Sequence, residues 1–180
     1  VLKQRVRHSL TINGTKVVGV TSSTVGEGKT TVAYNLARSL SGGEEKVLLI
    51  DMNFGNRNIQ KSVNRKNTVS NNGLVEVANG KLQLENVINS VSQNFDVLFA
   101  GAGDVKFIKA KFVPIFEELR EQYDYIVVDM PTCGVASETV AIADLCDELL
   151  FVTRSNKVSP EKVYDALKDL AFSNAKITGF

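Results

Sequence analysis

Five short apolar runs recur along the chain, at residues 17–21, 47–50, 97–100, 126–128 and 149–153. Each is rich in Val, Ile, Leu or Phe, bounded by Gly, Asp or Ser, and unbroken rather than alternating. That is the pattern of strands buried on both faces of a parallel sheet. Amphipathic, helix-period segments lie between and after them, at 30–41, 84–88, 109–122, 138–143 and 160–172. In the last of these Ser159 is placed to cap, Pro160 takes the first helical position, and Val163, Leu167 and Leu170 share one face. Strand alternating with helix predicts an α/β fold: a doubly wound, mostly parallel sheet with right-handed crossovers and flanking helices. Two stretches break the rhythm. Residues 53–72 hold seven Asn and few large apolar side chains, which predicts a mobile surface loop, and residues 101–106 are a second polar interruption.

Composition narrows the function classes. With 180 residues one core is enough, so a single domain spanning 1–180 is expected. Two cysteines and one histidine are too few for a disulfide framework or a zinc cluster. A formal charge of +1 lacks the basic footprint of a nucleic-acid binder. No apolar stretch is long enough to span a bilayer and no secretory signal is present, so a soluble fragment is expected, from a parent that need not be soluble. The chain opens without Met and closes in the apolar run 176–180, which is read as a strand cut partway, so a longer parent chain is expected.

The strongest chemical signal is Ser23-Thr24-Val25-Gly26-Glu27-Gly28-Lys29-Thr30-Thr31, between the first predicted strand and the first predicted helix. In a P-loop, glycines let backbone N–H groups wrap a phosphate, and the helix N-terminus adds a positive dipole. Lys neutralises the outer phosphates and Ser or Thr meets Mg²⁺. Here the candidates are Gly26, Glu27, Gly28, Lys29, Thr30 and Thr31, with Ser23 standing where the usual pattern has its first Gly. Phosphoryl transfer also needs an acidic residue at the end of a buried strand to hold the metal from its other side. Asp51 follows 47–50 and Asp129 follows 126–128, and the carboxyl ends of parallel strands share one crevice. Lys29, Asp51 and Asp129 are therefore the candidate catalytic residues, and Thr30, Asp51 and Asp129 the candidate metal set. ATP and Mg²⁺ are the expected ligands. Arg154, at another strand end, either contacts the nucleotide or caps the crevice.

At these residues the chain resembles the bacterial tyrosine kinases of capsule and exopolysaccharide export, P-loop ATPases related to chromosome-partitioning and septum-placement ATPases. The resemblance runs through the block at 17–31, the strand and acid at 47–53, Gly73-Leu74-Val75-Glu76-Val77 with Gly80, the strand at 95–101, and the strand and acid at 123–131. Ser137, Asp147 and Arg154 also stand where that family has Ser, Asp and Arg. The resemblance implies an ATP-dependent kinase acting on tyrosines, mostly in a Tyr-rich tail, between neighbours in a ring. It implies a membrane-anchored export activator, or a fused membrane region, that tethers the domain to the inner face of the plasma membrane. By the same resemblance Lys29 and Thr30 hold phosphate and Mg²⁺, Asp51 coordinates the metal or orients its water, and Asp129 is the strand-end carboxylate.

The chain departs from that pattern at several positions. Asn53 replaces a second Asp and cannot act as a base, and Gly55 replaces an Arg. Of the N-terminal ring contact, with Val1, Gln4 and Arg7 at its three places, only Arg7 is kept. The Pro-Asn-Pro element is missing near Asp104, and no tyrosine tail is present. Three readings follow: an active tyrosine kinase, a nucleotide switch regulating the same export machinery, or a positioning ATPase. Thr24 opposes the last, since partitioning ATPases carry a signature Lys there. Cys133 is read as a structural thiol and His8 as a solvated residue, and Tyr34, Tyr123, Tyr125 and Tyr164 are assigned to packing.

Overall fold

The computed structural model describes residue 4 and residues 16–55, 58–63, 71–102, 108–134 and 138–179. Val1, Arg7, His8, Asp104 and Ser137 lie outside the described residues. The strands are β1 (Val17–Ser22), β2 (Val47–Asp51), β3 (Ile88–Ser92), β4 (Phe95–Leu98), β5 (Tyr125–Asp129), β6 (Glu148–Val152) and β7 (Lys176–Gly179). The helices are α1 (Lys29–Leu40), α2 (Asn58–Val63), α3 (Leu74–Ala78), α4 (Lys109–Gln122), α5 (Glu138–Ala143) and α6 (Pro160–Leu170). The seven strands form one sheet in the order β3-β4-β2-β5-β1-β6-β7. All neighbours are parallel except β3, which pairs antiparallel with β4.

The unbroken apolar runs follow from helices on both faces. Successive side chains of a strand point to opposite sides. In β2, Leu48 and Ile50 join one buried cluster with Phe112, Phe116 and Leu119 of α4, while Val47 and Leu49 join another with Ala33, Leu36 and Leu40 of α1. β5 divides the same way, with Ile126 and Val128 on the α4 side and Val127 on the α1 side. All of β2 is buried, and in β5 only Tyr125 at the strand start is half-buried, so neither carries the alternation of a half-exposed strand.

Two predicted segments are corrected. Residues 84–88 do not form a helix: Leu84–Asn86 is one 3₁₀ turn, which delivers the chain into β3. The strand was hidden because Asn89, Ser90 and Ser92 are an edge strand's polar residues, and an edge contributes little to a buried core. Residues 53–72 are not all loop, since α2 lies within them with Ile59 fully buried in the α1-side cluster. Ile59 and the half-buried Val63 are the apolar anchors of this six-residue helix, too few for periodicity to reveal.

Asp147, matched above to a family position, is far from the phosphate loop. It precedes β6 and accepts hydrogen bonds from the backbone N–H of Val17 (2.8 Å) and Lys16 (2.9 Å) at the start of β1, and from both terminal nitrogens of Arg120 in α4 (2.8 and 2.7 Å). Burial alone would raise its pKa, but these donors hold it below the ordinary value. Asp147 is thus a joint tying α4 to the amino end of the sheet. The motif around Gly73 is also structural. A Cβ there would collide with the Phe99 carbonyl and the Gly101 nitrogen, and the Gly73 N–H donates to Glu76 at 2.8 Å, bracing the entry to α3.

Candidate nucleotide site

β1 lies between β5 and β6. Its chain leaves Ser22, turns through residues 23–28 and enters α1 at Lys29. The turn is possible because Gly26 and Gly28 take φ values of 84° and 103°, which residues with a side chain rarely adopt. Gly28 is the N-cap of α1, whose first turn holds no acidic residue of its own, so its positive end faces the loop.

Glu27 governs the loop's shape. Its Oε2 accepts from the Ser23 hydroxyl (3.0 Å) and the Thr24 N–H (2.6 Å), and its Oε1 from the Arg154 N–H (3.2 Å). Burial opposes the charge, but these bonds win and its pKa falls below the ordinary value. Its carboxylate is therefore engaged within the protein, holding the loop to the end of β6. Such a role leaves no mark in sequence beyond Glu between two glycines.

The carboxyl ends of β5 and β2 meet beside this loop. Asp51 and Asp129 are register partners on adjacent parallel strands, so the two carboxylates stand together. Both are essentially buried, at 1% and 0% exposure. Thr30 Oγ1 donates to Asp129 Oδ2 at 2.7 Å, and Asp51 Oδ1 accepts from the Asn53 N–H at 3.0 Å. Asn53 thus fixes Asp51 through its backbone, a contact that any residue there can make. Asp129 Oδ1 is buried with no hydrogen-bond partner among the described residues. Burial raises the Asp129 pKa from 3.8 to about 6, against the lowering effects of Thr30 and Lys29. Lys29 is also buried, and desolvation draws its pKa down although Asp129 and Glu27 pull it up.

A cation next to Asp129 would relieve both its orphan oxygen and its raised pKa. An anion in the loop would meet the Lys29 ammonium and the free N–H groups of α1. The residues present therefore fit a magnesium nucleotide. Thr31 is exposed at the start of α1, its carbonyl accepting from Asn35 at 2.8 Å. Arg154 is exposed too and reaches the loop through its backbone. Thr21 Oγ1 donates to the Pro131 carbonyl (2.8 Å) and the Cys133 N–H to the Ser22 carbonyl (3.0 Å), stitching the segment after Asp129 to β1. Cys133 itself is buried, and desolvation pushes its thiol pKa up, as suits a structural cysteine. One tyrosine departs from the packing assignment: Tyr164 is 68% exposed on α6.

A glycine-bent loop leading from a central parallel strand into a helix, with strand-end carboxylates at its side, defines a P-loop nucleotide-binding domain. A family model for the AAA domain matches residues 15–171. The tyrosine-protein kinase CpsD of Streptococcus pneumoniae is 32% identical over 160 residues, which cover 86% of this chain and 70% of that protein. The crystal structure of the VpsO kinase domain superposes with a TM-score of 0.85 at 28% identity, over 98% of this chain and 88% of that one. The septum site-determining protein MinD of Pyrococcus horikoshii, complexed with Mg-ADP, shares the fold with a TM-score of 0.76 at 24% identity, over 90% of this chain and 67% of that one. The chain belongs to the AAA domain family of P-loop ATPases and, within it, to the bacterial tyrosine-protein kinases.

Proposed function

We propose that this chain is an ATP-dependent protein-tyrosine kinase domain that regulates polysaccharide synthesis and export. The observation that carries the reading is the cluster at the loop: buried Lys29, Thr30 bonded to Asp129, and Asp51 in register beside it. The loop and Lys29 would bind the phosphates of ATP, and Thr30, Asp51 and Asp129 would hold Mg²⁺, which when bound neutralises charge on the transferring group. A tyrosine hydroxyl oxygen would attack the γ-phosphorus as the bond from that phosphorus to the β,γ-bridging oxygen breaks; ADP would leave and the hydroxyl proton would pass to solvent.

Phosphoryl transfer through a loose transition state depends on positioning and electrostatics more than on a base. Asn53 in place of a second acid would therefore slow transfer without forbidding it. It also favours a second reading, a nucleotide switch with little transfer activity acting on the same export machinery. A positioning ATPase fits the shared fold, but Thr24 occupies the place of that group's signature Lys. No helix among the described residues is long and apolar enough to cross a membrane. In our reading the tether to the inner face of the membrane comes from an export partner or a fused membrane region, and assembly is between copies of the chain.

The test is to incubate the protein with Mg-ATP and a Glu/Tyr copolymer and to probe both for phosphotyrosine. The expected result is label on the copolymer that disappears in Lys29→Met. Label on the chain itself should map to Tyr164, because the Tyr123 hydroxyl is committed to Asp96 at 2.8 Å and Tyr34 and Tyr125 are half-buried. Bound ATP with no label in the wild type, but label in Asn53→Asp, would replace the kinase reading with the switch.

A further inference from the structure

The turn from β6 into α6 is fastened to the phosphate loop. The Arg154 N–H reaches Glu27 Oε1 at 3.2 Å, and the Lys157 N–H closes the turn on the Arg154 carbonyl at 3.2 Å. Between them Asn156 takes a φ of 60°, alone among the described non-glycine residues in lying on the positive side. After glycine, Asn is among the residues that most readily adopt left-handed backbone, which suits it to a reversing turn. Here it turns the chain back over the loop, so that Lys157 Nζ lies 3.4 Å from where a Cβ on Gly26 would stand. An ordinary exposed lysine extends into water. This one ends against the backbone of the phosphate cradle.

The sheet order tells which part of a nucleotide it would meet. Asp129 and Asp51 sit on β5 and β2, on one side of β1, whereas Lys157 follows β6 on the other. The metal and the terminal phosphate belong with the two carboxylates. A nucleotide with its middle phosphate in the loop must then extend its nucleoside toward β6. We propose that Lys157 is a nucleotide-binding residue on the nucleoside side of the loop, its ammonium meeting the α-phosphate of ATP or ADP. It makes the site cationic at both ends, with Lys29 facing the outer phosphates. The inference rests on the loop being a nucleotide site.

Fluorescent ADP and ATP analogues titrated against the wild-type chain, Lys157→Met and Lys157→Arg test it, with melting curves to verify folding. Because Lys157 is exposed, its contact is screened by water, and Lys157→Met should weaken ADP and ATP alike by roughly three- to tenfold. The loss should shrink in high salt, and Lys157→Arg should recover most of it. Equal affinities in the wild type and Lys157→Met overturn the proposal and leave the site standing. A loss confined to ATP overturns the α-phosphate assignment. Failure of the wild type to bind either nucleotide overturns both this inference and the reading beneath it.

Discussion

Asp129 is the residue in which the needs of folding and of function diverge. Its side chain is fully buried, one oxygen has no partner among the described residues, and its pKa is pushed up to about 6. A carboxyl whose folded pKa exceeds its unfolded value of 3.8 supports the fold most in its neutral form. That support is complete below the unfolded value and is lost as pH rises through about 6. Asp129→Asn keeps the shape and removes the charge. In the absence of nucleotide it should therefore stabilise the protein at pH 7.5 by up to about 3 kcal/mol, a gain that shrinks toward pH 5. The same variant should lose Mg-nucleotide binding. Melting curves at the two pH values check the first statement and titration with nucleotide the second, and a variant less stable than wild type at pH 7.5 would contradict the account. Lys29, Thr30, Asp51 and Asp129 could be chosen from sequence because a strand-end acid and a glycine loop are local patterns. Glu27 as a fastener and Lys157 as a neighbour of Gly26 could not, because each depends on a contact across about 130 residues, between the loop and the turn after β6.

At the level of elements, the joint at Asp147 makes a prediction of opposite sign. Its pKa is depressed by Arg120 and two backbone donors, so it contributes stability above the unfolded value of 3.8 that is lost as pH falls through the lower folded one. Asp147→Asn should cost about 1 kcal/mol at pH 7, discounted for the pair's partial exposure, and less at pH 3, below the unfolded value. Urea midpoints at both pH values measure it. Nucleotide affinity should not change, because this joint sits at the amino end of the sheet. The central strands were legible because β1, β2 and β5 are buried on both faces and cannot hide their composition. β3 and α2 were not: Asn89, Ser90 and Ser92 face an edge, and α2 is held by little more than Ile59 and the half-buried Val63. Sequence finds an element in proportion to the apolar surface it must bury, and these two bury little.

For the whole molecule, the site and the core are coupled by mass action. The phosphate loop, both carboxylates and the turn after β6 come from four different strands of one sheet, so an unfolded chain cannot reproduce the binding site. Mg-ADP at a hundred times its dissociation constant should therefore add about 2.7 kcal/mol to stability. A domain of this size should then melt roughly 5–10 °C higher. Differential scanning with and without Mg-ADP tests this, and no shift at saturation would count against the site itself. The polar margin at β3 has a separate bearing on colloidal behaviour. A chain with a net charge of +1 has almost no mutual repulsion to keep its copies apart in concentrated solution. A regular, apolar outer strand would let such copies zip together. Along β3 the register slips between Ser90 and Ser92, and polar Asn89, Ser90 and Ser92 leave Val91, 40% exposed, as the one large apolar side chain the strand exposes. Resistance to edge-to-edge aggregation on that side of the sheet thus has to come from an irregular, largely polar border rather than from electrostatic repulsion.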